Sequence, residues 1–168
     1  PKTTAVESER PYAVVTMHRA ENMKPERLIG VFDALGRLSE RMAIVLLAHP
    51  RLRKTVEFYQ TPTHGIWLQP PATYIDMLAL MRSANVVLTD SGGMQEEACF
   101  LRVPCVTLRT TTERPETIKV GANRLALETD EILLAVDDAL SKPRDWRYPY
   151  GDGTTSKTIA EIIQTWLS

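Results

Sequence analysis

Short apolar runs rich in Val, Ile and Leu alternate along this chain with longer amphipathic stretches, and this alternation constrains the fold more than any other feature. Strands that are apolar along nearly their whole length need a layer of helices on each face. The alternation therefore predicts an α/β fold, a Rossmann-like doubly wound parallel sheet. Five runs predict strands clearly: 12–17, 44–48, 66–69, 86–89 and 104–108. A sixth strand is predicted at 124–127, in a short run that follows Gly121.

The stretches between the strands carry apolar residues at helical spacing. The stripe behind Pro25, a residue that suits the first turn of a helix, predicts a helix over 25–41 with one buried face. Residues 141–153, with two prolines and two glycines, predict an excursion before a closing helix capped near Thr155 or Ser156. We expect three further stripes to be core as well: Ile75, Leu78 and Met81; Ile132, Leu133, Val136 and Leu140; and Ile159, Ile162, Ile163 and Trp166.

Length and composition predict one domain over 1–168 and exclude several classes of protein. With 20 basic and 21 acidic residues, the chain has no electrostatic footprint for nucleic acid. No apolar run is long enough for a membrane span, and the first residues lack the apolar stretch of a signal peptide, so we expect no membrane partner and a cytoplasmic location. Cys99 and Cys105 stand in apolar surroundings and are expected to be buried free thiols. The initial Pro1 suggests numbering that begins inside a longer chain or after processing.

The fourth strand leads into TDSGGMQEE at 89–97, a strand, a turn of small residues and then a helix-forming stretch. Adjacent glycines let a ligand approach the backbone, and the first turn of the helix offers unpaired N–H groups at the positive end of its dipole. We therefore expect a phosphate group there, with the Ser91 hydroxyl as a further donor. Glu97 stands one turn beyond Gly93, where a carboxylate can accept from a ribose diol. The alternative is that SGG only makes a tight turn.

Two familiar nucleotide motifs are missing. The first strand is followed by HRAEN at 18–22 and not by GxGxxG, which disfavours a simple NAD-binding domain, and there is no P-loop motif. His18 could hydrogen-bond or protonate an oxyanion, or it could simply cap the next helix. The three histidines lack the spacing of a metal site, so no metal is expected.

The fifth strand is followed by LRTTTERPE at 108–116, which brings Arg109 and Arg114 together with hydroxyls and carboxylates. Two arginines there could clamp a diphosphate, or they could lock the loop through ion pairs. The residues alone leave both interpretations open.

HRAEN, TDSGGMQEEA and LRTTTERPE, in this order at these strand ends, resemble the non-hydrolysing UDP-N-acetylglucosamine 2-epimerases. The resemblance extends from Tyr12 to about Leu127. It implies the C-terminal half of a glycosyltransferase B-type fold, in which two Rossmann-like domains face each other across a cleft. It also implies interconversion of UDP-N-acetylglucosamine and UDP-N-acetylmannosamine by elimination and re-addition of UDP, in the biosynthesis of cell-surface polysaccharides, with no cofactor.

The same resemblance implies roles for individual residues. Ser91, Gly92 and Gly93 would hold the diphosphate, and His18 would act as the catalytic residue that helps UDP to depart. The other residues expected to bind UDP are Arg19, Met77 (through the backbone near the uracil), Glu97 and Arg114.

Two features separate this chain from its relatives. The carboxylates thought to move the C2 proton belong to an N-terminal domain that is missing here, so this chain alone is expected to be inactive. His49 stands in LLAHP where many bacterial members read PxHxNP with a histidine tied to an allosteric UDP-N-acetylglucosamine, which puts such activation in doubt. The expected partners are UDP, UDP-N-acetylhexosamine and the missing N-terminal domain, with a homodimer usual in the family.

Two other functions compete with the epimerase. A nucleotide-sugar-dependent glycosyltransferase shares the two-domain shape, and fold alone does not fix function. A stand-alone UDP-binding module would need no second half. The TERPE loop and HRAEN favour the epimerase over both.

Overall fold

The computed structural model describes residues 10–167, in which six parallel strands form one sheet. The strand order is β3-β2-β1-β4-β5-β6, the Rossmann order, so the predicted fold class is confirmed. All six predicted strands are present: the third and fourth have the predicted bounds, the first is one residue shorter and the fifth two residues shorter, and the second and sixth begin one residue earlier and end one or two residues earlier. They are β1 (Tyr12–Thr16), β2 (Ala43–Leu47), β3 (Ile66–Gln69), β4 (Val86–Thr89), β5 (Cys105–Thr107) and β6 (Asn123–Leu125).

Helices cover both faces of the sheet, as the apolar strands require. In β1, Ala13 and Val15 face one core and Tyr12 and Val14 face the other. The first core is covered by α1, α2 and α6, and the second by α3 and α4. The helices are α1 (Pro25–Ser39), α2 (Pro50–Phe58), α3 (Tyr74–Arg82), α4 (Gly92–Phe100), α5 (Pro115–Lys119), α6 (Thr129–Ser141) and α7 (Thr155–Leu167).

Both cysteines are buried free thiols, as predicted. Burial raises the pKa of the Cys105 thiol to about 12. A thiol that stays protonated is a poor nucleophile and a poor metal ligand, so these residues serve as core.

The excursion predicted at 141–153 is present at 142–154, between α6 and α7, and its first part is anchored to the end of α4. The Trp146 indole Nε1 donates to the Cys99 carbonyl at 3.0 Å. The Arg102 guanidinium lies 4.3 Å from the centroid of the Tyr148 ring. The residues that follow, from Gly151 to the start of α7, are exposed.

The prediction that the α7 stripe is core is wrong. Ile159, Ile162 and Ile163 are 51–53% exposed and Trp166 is 88% exposed, so a complete apolar helix face lies open. Two other stripe residues, Ile75 and Leu140, are also exposed. Helical periodicity shows that one face of a helix is apolar but not what covers it, which explains the error. Over the described residues, no helix is both long enough and apolar enough to span a membrane.

Candidate functional site

The order of the strands creates a crevice at the carboxyl ends of β1 and β4. These neighbouring strands are followed by helices on opposite faces, so the segments that leave them diverge. In open α/β sheets such a switch point is where ligands bind. The residues after β1 are HRAEN, and those after β4 are DSGG, so two of the three sequence motifs meet here.

Asp90 joins these two motifs. Its carboxylate is completely buried and accepts hydrogen bonds from the backbone N–H groups of His18 at 3.0 Å and Arg19 at 2.9 Å. The Asn22 amide donates to it at 2.8 Å, and the Nδ1 atom of His18 lies 2.8 Å from its other oxygen. The position of His18 and Arg19 beside the turn is therefore set by Asp90.

The turn between β4 and α4 leaves hydrogen-bonding groups available. Ser91 is the N-cap residue in extended conformation, yet its side chain makes no capping hydrogen bond. A Cβ atom placed on Gly93 would meet nothing within 4 Å. The first turn of α4 thus combines unpaired N–H groups, a hydroxyl and open space at Gly93, which suits an anion.

The neighbouring Gly92 faces a side chain. A Cβ atom there would lie 2.8 Å from the Oε1 atom of Glu113. The Glu113 carboxylate also pairs with Arg19 at 2.8 Å and with Arg109 at 2.6 Å. Its own backbone N–H and the Arg109 guanidinium lower the pKa of Glu113, so the carboxylate is charged at neutral pH. A negatively charged side chain of the protein itself therefore lies beside the start of α4.

The loop that carries Glu113 is held by a buried polar network. The Thr112 hydroxyl donates to the Gln95 side-chain oxygen at 2.5 Å. The Asn123 amide donates to the same oxygen at 3.2 Å and to the Thr117 hydroxyl at 3.0 Å. These bonds tie the TERPE loop to α4, α5 and β6, and so fix where the loop meets the crevice.

The two arginines of this loop take different directions. Arg114 forms an ion pair with Glu96 on α4. Arg109 pairs with Glu113 and, at 3.2 Å, with Glu21 of the HRAEN segment. Arg109 thus joins the ion pairs of Glu113 and Glu21 beside the crevice, while Arg114 lies along α4. In this structure both arginines hold the loop through ion pairs.

The far side of the crevice is formed by α3 and α4. Glu97 lies one turn along α4; burial raises the pKa of its carboxyl group, and a hydrogen bond from Tyr74 opposes that effect. Tyr74 is 63% exposed, and Met77, one turn later on α3, is partly buried against the core. The Met77 side chain packs inward, and its backbone N–H donates to the Thr73 carbonyl at 2.9 Å.

His49 has a structural role in this chain. Its Nδ1 atom accepts a hydrogen bond from the backbone N–H of Arg51 at 3.3 Å and so caps α2. His49 and His18 line one cavity of about 490 Å³.

Among the described residues, no group of three His, Cys, Asp or Glu side chains could hold a metal ion.

Sequence reasoning missed Asp90 and Glu113. Asp90 directly follows a buried strand and precedes a turn of small residues, a position that could have marked it as a residue at the carboxyl edge of the sheet. Glu113 gives no such signal, because its contacts with Gly92 and Arg19 join positions far apart in the chain.

A protein-family model described as UDP-N-acetylglucosamine 2-epimerase matches residues 1–164. The UDP-N-acetylglucosamine 2-epimerase of Methanocaldococcus jannaschii is 40% identical over 161 residues, which make up 90% of this chain and 44% of that protein. The crystal structure of the enzyme from that organism in complex with UDP-GlcNAc and UDP superposes with a TM-score of 0.86 at 36% identity, over 98% of this chain and 48% of that one.

A relative from Pseudomonas aeruginosa bears the name of a different substrate. UDP-2,3-diacetamido-2,3-dideoxy-D-glucuronate 2-epimerase is 37% identical over 160 residues, which cover 93% of this chain and 45% of that protein. The chain thus spans less than half the length of each of these relatives.

Proposed function

Because this chain belongs to the UDP-N-acetylglucosamine 2-epimerase family, we propose that it is the UDP-binding half of an enzyme that interconverts UDP-N-acetylglucosamine and UDP-N-acetylmannosamine. One observation carries the proposal. The open start of α4 at Gly93, the Ser91 hydroxyl and the pair His18 and Arg19 converge on one crevice at the switch point of the sheet. Fold alone would also allow a glycosyltransferase, but the family match favours the epimerase.

In this proposal each part of UDP has a counterpart in the crevice. The diphosphate lies at residues 91–93, where N–H groups and the helix dipole favour negative charge, and Arg19 supplies a cation. Glu97 accepts from the ribose hydroxyls. The uracil lies along α3 near the backbone of Met77, and Arg114 contacts the nucleotide from the TERPE loop.

His18 acts on the departing UDP. In the elimination, a base removes the C2 proton, the electron pair of that bond forms the C1–C2 double bond, and the C1–O bond breaks with its pair on UDP. A hydrogen bond from His18 stabilises the charge that develops on the diphosphate. Re-addition on the other face reverses these steps, and the base comes from another part of the protein, so this chain alone is expected to have no turnover.

The exposed face of α7 is a second observation that favours a two-domain protein. Four large apolar side chains at spacings of three and four residues form one stripe that the described part of the chain does not cover. Soluble proteins rarely leave such a stripe open to water. We propose that the missing N-terminal half, which the relatives' greater length implies, covers this face.

Calorimetric titration of this chain with UDP tests the proposal, with UMP and NAD as comparison ligands. We expect saturable binding that favours UDP. Ser91→Ala removes one donor and Arg114→Ala one cation, and each should weaken binding about tenfold, the usual effect of losing one hydrogen bond to a charged group. If wild type binds UDP and both variants retain its affinity, the site assignment is wrong.

Replacing Glu113 with glutamine is expected to strengthen UDP binding. The diphosphate must compete with the Glu113 carboxylate for Arg19 and Arg109, and the neutral amide is a weaker competitor. A gain of about 1–2 kcal/mol, roughly five- to thirtyfold in affinity, corresponds to one charge-assisted interaction no longer displaced. Calorimetry measures the gain.

Glu116→Gln is the matched control for this variant. It removes the same charge from α5, where Glu116 lies near Tyr150 and not near the two arginines. Its UDP affinity should stay close to that of wild type. Weaker binding by Glu113→Gln would mean that Glu113 orients the arginines for the ligand and does not compete with it.

A further inference from the structure

Asp90 has more partners than a turn requires. Burying a carboxylate costs several kcal/mol unless hydrogen bonds compensate, and the backbone N–H groups of His18 and Arg19 together with the Asn22 amide supply three donors. These three bonds are enough to join the two segments. The contact with the His18 ring is an additional one.

That contact indicates which nitrogen of the His18 imidazole carries a proton. An ionised carboxylate only accepts hydrogen bonds, so the Nδ1 atom of His18, 2.8 Å away, must carry the proton. Neutral His18 then has its lone pair on Nε2, and protonated His18 presents an Nε2–H donor. The His18 side chain is 51% exposed, so packing alone does not hold the ring.

We propose that Asp90 is a positioning residue for His18. It keeps the proton on Nδ1 and holds the ring so that Nε2 is the atom that meets the diphosphate. With Nδ1–H bonded to Asp90, only the doubly protonated ring can donate from Nε2 to the diphosphate, and the carboxylate is the partner of that imidazolium. The inference rests on the proposed function, since it is there that the diphosphate of a UDP-sugar occupies the crevice.

Asp90→Asn tests the proposal with little change of shape. The asparagine oxygen can still accept from the backbone N–H groups, while its amide group now faces Nδ1 and favours the opposite tautomer, with the proton on Nε2. Long-range ¹H–¹⁵N NMR of this chain should show the Nδ1–H form in wild type and the Nε2–H form in the variant. The affinity of the chain for UDP should change less than about threefold, because the variant ring still carries an Nε2–H group that can donate to the phosphate.

Turnover is measured in the longer protein that contains both halves. Without the carboxylate the ring donates to the diphosphate as a neutral Nε2–H group instead of as an imidazolium, and a charge-assisted hydrogen bond is about twice as strong as a neutral one. We therefore expect Asp90→Asn to lower kcat by about tenfold with little change in KM. Asn22→Ala is the control, because it removes another donor to Asp90 and leaves the ring bond intact. It should lower the melting temperature but keep the tautomer and kcat.

Two outcomes would overturn the inference: an Nε2–H tautomer in wild type, or an Asp90→Asn variant with unchanged tautomer and kcat. The wild-type tautomer decides the question even if Asp90→Asn does not fold. Failure of the proposed function looks different, because a wild-type protein without epimerase activity would still show the Nδ1–H tautomer that Asp90 imposes.

Discussion

Replacing Gly93 with valine is expected to abolish UDP binding by this chain at concentrations where wild type is saturated. No atom of the described residues lies within 4 Å of a Cβ atom at this position, so the fold can accommodate the larger residue. The branched side chain would stand in front of the N–H groups at the start of α4, where the diphosphate is proposed to lie. Loss of two charge-assisted hydrogen bonds, about 1.5–3 kcal/mol each, corresponds to a drop in affinity of 10²-fold or more.

Calorimetry with UDP measures the loss, and thermal unfolding shows whether the domain remains folded. Gly36→Val is the matched control, because Gly36 is also a helical glycine with nothing within 4 Å of its Cβ position, but it lies on α1. It should bind UDP like wild type. A folded Gly93→Val variant with wild-type affinity would show that the diphosphate does not lie at this turn.

Glutamates in place of Ile162 and Trp166 are expected to suppress a self-association of the isolated chain that the open apolar stripe of α7 predicts. Both side chains belong to the open stripe of α7, and full burial of a large apolar side chain contributes about 1.5–3 kcal/mol. Chains that pair through this stripe gain that energy from each copy, so the double substitution should weaken association by about 10³-fold or more. Sedimentation velocity over a range of concentrations measures the change.

Gln164→Glu provides the control for α7, since it adds charge on the polar side of the same helix and should leave association unchanged. In the longer protein the two glutamates should instead separate the halves and lower the melting temperature, because the same face is proposed to be covered there. A wild-type chain that stays monomeric at high concentration, together with a longer protein that tolerates both glutamates, would refute an interface at this face.

The secondary structure of this chain could be predicted closely from local patterns. Runs such as 86–89 become strands because β-branched and apolar residues favour extended backbone with both faces buried. Pro25 begins α1 because its fixed φ suits the first helical turn. The three motifs were identified at the ends of predicted strands, and parallel strands bring their carboxyl ends to one edge of a sheet.

The composition of the crevice could not be predicted in the same way. The bond between Asp90 and the backbone of His18 spans 72 positions, and it forms only because β1 and β4 are neighbours in the sheet. Glu113 reaches Gly92 through a loop whose course depends on the Gln95 and Asn123 network. The open face of α7 likewise depends on what the rest of the described residues, 10–154, leave uncovered.

The sequence by itself thus determined the elements, their alternation and the motifs at the strand ends. Tertiary structure decided which motifs meet, which carboxylate is buried beneath His18 and which apolar stripe lies open. The physical reason is the range of the interactions. Backbone preference and side-chain periodicity act over a few residues and can be read along the chain, whereas side-chain pairing and burial depend on strand order, which joins residues far apart in sequence.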